Sequence, residues 1–570
     1  MAALFTTPKR NDTTAGTHVA EPDVRRRIGL AHGSWRRVTR RIVSGAVCAL
    51  TVSSLLMPSV SLAAEWVKVG GNKYNTAASD EAGTWSWDGA DDLKLNNYNG
   101  GEIQAAGKLN VNYSGTNIVT AEWIESIKVS HGTNENAELN IQGDEGGTLS
   151  VTSTEDAILS TGNINIDGAG SVNATSTGFD AINAGGDLAI KGSGNVNATG
   201  ASDGIRANGN ITIDDSGAVT ARATKDKGIG ADKNLTIKGG GTVEVSSEKD
   251  AAVEAKGSLA ATNASLNVNG VEYGVYVHKG ITLDHANVTV RASKGRYGGA
   301  NALFTYQDDI VAKNGSTVDA FAEGEVSAAF STRNDRPNEK GGHIYISDSV
   351  VKAIARYVEN GDGPIPYSEN QDGETRREPQ GENIGIIAQT SEGVTPAVIS
   401  IIRSKVTAEG DTAAIFARAM SADGKTIGTI KIENAAIQTP EGGKVIDYRK
   451  LRDGIYEAGQ AIGTGDATVD SLYIKAVAKS TTIAPPEVAK PEDPKPDETK
   501  PAESKPAESK QNPKPEGSKP TKAVAASTTK AKTTGVLAAT GDTSGAAIVA
   551  TVLAGTAAIA VGAVVSRKRS

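Results

Sequence analysis

Between residues 188 and 255 apolar and polar residues alternate in short runs. The pairs Leu188/Ile190, Val196/Ala198 and Ile205/Ala207 are followed by Ile211/Ile213, Val219/Ala221 and Ile229/Ala231, then by Leu235/Ile237, Val243/Val245 and Val253/Ala255. Alternation with period two marks strands that bury one face. Glycine, asparagine and aspartate separate the runs, as in Gly209-Asn210 and Gly239-Gly240-Gly241, and supply turns. No segment has the 3.6 periodicity of a helical repeat.

The runs recur. Strand-like openings fall at Leu139, Ile164, Leu188, Ile211, Leu235, Leu259 and Ile281, at spacings of 25, 24, 23, 24, 24 and 22 residues. Self-similarity at a fixed period near 24 is the mark of a solenoid. Three strands per repeat describe a coil that stacks on its neighbour at ~4.8 Å, with Ile190, Ile213 and Ile237 above one another. A two-sheet sandwich is the alternative, but it does not repeat at a fixed three-strand period. The predicted fold is all-β: a right-handed parallel β-helix over 139–475, an extended Pro-rich stalk and a C-terminal apolar helix. Ile344/Ile346 with Val351/Ala353, Val398/Ile399/Ile401 with Val406/Ala408 and Ile415/Ala417, and Ile430/Ile432 with Ile437 continue the pattern. The charged, Gly- and Pro-rich stretch at about 357–383 reads as an inserted loop.

Upstream, residues 65–138 hold Trp66, Trp85, Trp87 and Trp123, with Tyr98 and Tyr113. A first coil exposes its core, so this region is expected to cap the solenoid. Trp85 and Trp87 lie two apart and share a strand face, which could instead form a platform for stacking on sugars.

Composition agrees with thin stacked layers: 65 glycines, 4% aromatic residues and three methionines leave small aliphatics to fill the interior. The one cysteine, Cys48, falls in the N-terminal apolar run, so disulfides and cysteine chemistry are excluded from the rest. Residues 1–64 read as an export signal, with arginines between Arg25 and Arg41, an apolar run from Ile42 to Met57, and small residues at Ser61-Leu62-Ala63.

At the other end, residues 476–536 form a Pro/Lys/Glu-rich linker. Ten of the nineteen prolines fall in 485–520, and PAESK occurs twice in succession. Such a segment cannot bury a core; extended at ~3 Å per residue, it could reach ~150 Å. Leu537-Ala538-Ala539-Thr540-Gly541 then precedes an uncharged run over 545–565, about long enough to span a bilayer, and Arg567-Lys568-Arg569. In that order the three parts resemble the sorting signal of Gram-positive surface proteins, in its Leu-Ala-x-Thr-Gly form. The resemblance implies a sortase as partner, cleavage after Thr540 and transfer of its carboxyl to peptidoglycan. Membrane contact is then confined to the C-terminal segment before sorting; a plain tail anchor is the alternative. Residues 1–64 carry nine Lys/Arg and three Asp/Glu, and 541–570 carry three and one, so removing +6 and +2 from −8 leaves −16. That balance argues against nucleic acid.

Candidate chemistry is sparse. Asp156, Asp180, Asp203, Asp226 and Asp250 recur at spacings of 24, 23, 23 and 24, just before the third strand of successive coils. Stacked carboxylates ~5 Å apart repel by about 1 kcal/mol even in water. Ca²⁺ would offset this, and so would hydrogen bonds from turn amides, which need no metal. No catalytic His, Ser or Cys constellation and no phosphate loop occurs. Arg206 follows Asp203 by three residues, and no equivalent cation stands in the neighbouring coils. The repeated Asp-Gly/Ala-Ile with Gly-Asn and an Ile-x-Ile strand resembles bacterial carbohydrate-binding β-helix proteins, fold relatives of the pectate lyases. The likeness covers 139–300 well and 301–450 loosely. It implies Ca²⁺-assisted binding of an acidic polysaccharide without cleavage. Two departures stand against carrying the metal set over: Lys227 sits between Asp226 and Gly228, and alanine follows Asp156, Asp180 and Asp250. The expected function is a wall-anchored, non-enzymatic adhesin, with no required cofactor and a polysaccharide or host glycan as ligand. A polysaccharide lyase and a structural spacer are the alternatives.

Overall fold

The computed structural model describes residues 63–486, apart from 131–136, 296–297, 337–340, 453, 466–467, 473 and most of 359–381. Every regular element among the described residues is a strand, and the strands form three large sheets of 15, 14 and 16 members. One coil visits each sheet once. Leu188–Lys191 lies in the first sheet, Val196–Gly200 in the second and Ile205–Ala207 in the third, and each pairs in parallel with its counterpart one coil on. The described residues form a parallel β-helix.

Register follows the predicted pattern. Ile190 pairs with Ile213 and Ile213 with Ile237; Ala198 pairs with Ala221; Ile205 pairs with Ile229. The alternating apolar side chains all point inward, and Ile205, Ile211, Ile229 and Ile237 are wholly buried. A one-residue slip would turn each set outward, so the inward face fixes the stacking. Turns stack as well. The side-chain oxygen of Asn163 accepts from the Asp187 amide, that of Asp187 from Asn210, that of Asn210 from Asn234, and that of Asn234 from Ser258. The asparagine column is thus a hydrogen-bonded ladder.

Parallel stacking begins earlier than residue 139. Asp92–Asn96 already pairs in parallel with Lys108–Ser114, and Ile103–Ala106 with Ile127–Ser130. The antiparallel cover is correspondingly smaller, made of Val67–Val69, Asn72–Tyr74, Ala78–Ser79 and Trp85–Trp87. Trp85 and Trp87 do share a face, but that face turns inward, leaving them 7% and 2% exposed. Trp85 packs on Tyr74 with ring centroids 5.1 Å apart, and the indole of Trp87 donates to the Ala90 carbonyl. The tryptophans therefore close the end of the core and offer no platform for a sugar. The open first coil decides the direction, because it must be covered by something large and apolar.

At the C-terminal end the third sheet is covered on its outer face too. Lys444–Arg452 and Ile455–Gly463 add antiparallel strands, and Ile446, Tyr448, Val469, Leu472 and Val477 form a second core with Ile387 and Phe416. Ile384, Ile386, Ile387 and Ala388 are consequently all buried, which breaks the alternation there. Ser480–Ala484, at the start of the predicted linker, is a strand inserted antiparallel between Lys405–Gly410 and Ala436–Thr439. The folded part thus extends past residue 475. The ends of the predicted insertion belong to strands, Val350–Tyr357 and Asn383–Thr390, and between 359 and 381 only the antiparallel pair Ser368–Glu369 and Thr375–Arg376 is described. Of the predicted export signal only Ala63 and Ala64 are described, Ala63 bridging to Lys108 and Ala64 buried. Its residues 1–62, the linker from 487 on, and Leu537 through Gly541 with the apolar run lie outside the described residues.

Candidate functional site

The corner between the second and third sheets carries a column of charged side chains. Ile158, Ile182, Ile205, Ile229 and Val253 are in register. Two residues before each stand Asp156, Asp180, Asp203, Lys227 and Ala251. The spatial ladder is therefore three aspartates ending in a lysine. Asp226 and Asp250 are one residue out of step, a correction to the predicted five-member column. Spacings of 23 and 24 residues cannot show on which side of the aspartate an extra residue falls.

The amides do what a cation would otherwise have to do. Oδ1 of Asp156 accepts from the Asp180 N–H at 2.9 Å, Oδ1 of Asp180 from Asp203 at 2.8 Å, and Oδ1 of Asp203 from Lys227 at 2.8 Å. Each carboxylate thus caps the following coil. The second oxygens are bridged sideways. Asn183 Nδ2 donates to Asp156 Oδ2 at 3.1 Å and Asp180 Oδ2 at 3.0 Å, while Arg206 Nη1 lies 3.4 Å from Asp203 Oδ2. Asp180 and Asp203 are buried. Burial raises all three carboxyls, Asp156 and Asp203 to about 6, against the opposing pull of the amide hydrogen bonds.

Asp226 and Asp250 serve a different group. Lys227 Nζ contacts Asp226 and lies 3.4 Å from Asp250 Oδ2 and 3.5 Å from Glu254 Oε2. Burial pulls this ammonium down, but the Asp226 hydrogen bond and the charges of Glu254, Asp226 and Asp250 outweigh it and raise the pKa. Arg206 behaves alike: burial opposes its charge, and Asp203, Asp232 and Asp180 more than restore it. Both cations are held protonated.

The carboxylates close enough together to share a cation lie elsewhere. Among the described residues one group of three carboxylates, Asp88, Asp91 and Asp92, has its oxygens within 4.8 Å of one another. Asp88 Oδ1 already accepts from the Ala90 and Asp92 amides, so the loop uses it to fold itself.

Beyond the ion cluster the same outer face turns aromatic. The outward column of the third sheet runs Lys128, Leu159, Asn183, Arg206, Gly230, Glu254, Tyr276, Phe304. Tyr276 and Phe304 stack with centroids 5.5 Å apart and planes at 20°. Tyr273 lies 4.8 Å from Tyr276 and 5.5 Å from Phe304, and His278 lies 4.9 Å from Tyr276. Phe304 is nearly buried behind the other three, which are half-exposed. Burial pushes the Tyr273 phenol up to about 12, and the Glu272 charge adds to this. Glu254 closes the strip, with Oε1 3.8 Å from His278 Nε2. Sequence reasoning missed these rings because the stretch after Ser293 lengthens their coil, putting Tyr276 and Phe304 28 residues apart. Their outward position one residue after an inward valine or leucine was the available signal.

No family, no curated protein and no solved structure matches the chain.

Proposed function

We propose that the chain is a non-enzymatic surface adhesin, anchored to a Gram-positive cell wall by its C-terminal signal, whose β-helix presents a glycan-binding face. The observation that carries this reading is the change along the outer face of the third sheet. Asn183 and Arg206 belong to a hydrogen-bonded corner, whereas Glu254, Tyr276 and Phe304 put a carboxylate and stacked rings on a surface the stacking itself does not require. Rings with an apolar body and a polar tip suit ligands that are part apolar and part wet. Among the described residues the cations nearest the ladder carboxylates, Arg206 and Lys227, are both held charged, which supports the non-catalytic reading over a lyase that would use either of them as its base. Calcium is not required by this reading, since protein amides take the ladder oxygens.

Full-length protein on a glycan array, with and without EDTA, tests the function. Binding that survives EDTA, without formation of unsaturated sugar products, is the expected result. Product formation would favour the lyase, and no binding to any glycan would leave a structural spacer. In a Gram-positive host, Thr540→Ala should shift the chain from the wall fraction to the membrane fraction.

A further inference from the structure

The third-sheet strip has a charge pattern that selects among glycans. Asp226, Asp250 and Glu254 surround one ammonium, that of Lys227, and Glu272 adds a fourth carboxyl, whose pKa is raised by burial first and by the Asp250 charge second. An acidic polysaccharide, the ligand implied by the family resemblance, would meet net repulsion here. Glu254 is the carboxylate in register with Tyr276: its Oε2 faces Lys227 at 3.5 Å, while among the described residues its Oε1 has His278 alone, at 3.8 Å. The hydroxyls of Tyr273 and Tyr276 have no hydrogen-bond partner among the described residues. In a chain with 4% aromatic residues, three half-exposed rings backed by a fourth on one outward face are a concentration that core packing does not explain.

We propose that Tyr273, Tyr276 and His278, backed by Phe304 and flanked by Glu254, form a binding site for an amino sugar unit of a glycan; this rests on the adhesin reading above. The C–H face of the pyranose lies against the tyrosine rings, which also attract a nearby cation through their negative faces. The sugar ammonium pairs with Glu254 Oε1 in a charge-assisted hydrogen bond. The free tyrosine hydroxyls bond to ring hydroxyls of the sugar.

Purified full-length protein is titrated with a glucosamine hexamer, an N-acetylglucosamine hexamer and an oligogalacturonate of equal length. The glucosamine hexamer should bind at least about tenfold tighter than the oligogalacturonate, as a difference of about 1.4 kcal/mol gives. Glu254→Gln keeps the side-chain shape. It should weaken glucosamine binding about tenfold and leave N-acetylglucosamine binding unchanged, because a charge-assisted bond is worth about 1.5–3 kcal/mol. Tyr276→Ala should weaken both. Where that variant melts early, Tyr276→Leu keeps the bulk without a ring face and should lose binding alike. Wild-type binding to amino sugars that neither Glu254→Gln nor Tyr276→Ala reduces would overturn the site and leave the adhesin reading standing. Preference for the oligogalacturonate would overturn the ligand class. Polylysine bound as tightly as the glucosamine hexamer, with dependence on Glu254 and not on Tyr276, would reduce the strip to a cation-exchange surface and overturn the proposal. Failure to bind any glycan would remove the adhesin reading together with the site.

Discussion

The coils bearing Asp156, Asp180 and Asp203 and the coils bearing Tyr273, Tyr276 and Phe304 share one backbone. Inward, both stack aliphatics in register: Ile182 on Ile205 in the first, Val275 on Leu303 in the second. Outward they have nothing in common. The first stretch spends its polar side chains on its own amides, whereas the second stacks its rings on one another and leaves the Tyr273 and Tyr276 hydroxyls without partners among the described residues. Both stretches share the inward stack, and where the outward positions are not spent on bonds between coils, as in the ring-bearing coils, they are released to carry chemistry.

The largest expected effect tests that shared frame. Ile213 and Val275 are buried, Ile213 in the coil stacked directly on that of Asp203 and Val275 in the coil of Tyr273 and Tyr276. Ile213→Ala should cost about 2–5 kcal/mol and Val275→Ala somewhat less, read from thermal unfolding. Outward Thr212→Ala should stay within about 0.5 kcal/mol. Equal losses from inward and outward changes would break the comparison.

A smaller effect separates the two stretches by pH. Asp156 and Asp203 have folded pKa values raised by burial from 3.8 to about 6. The stability they contribute is fully present below about 3.8 and is lost as pH rises through about 6. Melting temperature should therefore fall between about pH 4 and about pH 7. Asp203→Asn keeps an oxygen for the Lys227 amide and should remove about 1–2 kcal/mol of that acid gain, without destabilising the protein at neutral pH. A variant with an unchanged pH profile would remove Asp203 from the account.

The smallest expected effect is that of calcium. With Oδ1 of Asp156, Asp180 and Asp203 each taken by an amide, millimolar Ca²⁺ should leave the melting temperature unchanged. A clear rise, abolished by removing Asp88, would instead place an ion at the N-terminal carboxylates.

The frame was legible because buried alternation is a local signal. Leu188/Ile190, Val196/Ala198 and Ile205/Ala207 each announce a strand, and their recurrence announces the stack. Legibility failed where a second layer covers the sheet. Around Ile384–Ala388 both faces are buried, and in the coil from Ile310 to Asn334 the run Ala328 to Phe330 is buried without alternation. The direction of a face is another matter. Trp85 and Trp87 reveal that they share one, but only the open end of the core decides that it turns inward. The candidate site was half visible. Asp156, Asp180 and Asp203 followed from periodicity, the misplacement of Asp226 and Asp250 from a single extra residue, and the ring strip was hidden by an irregular coil length.

Ser480–Ala484 is bonded on both sides, to Val406–Glu409 and to Ala436–Thr439, and runs opposite to the coils. Any mechanical load applied to the chain beyond Ala484 enters the rod through these five residues. A pull along that strand strains its two ladders in shear, so several bonds must yield together before the coils feel the force.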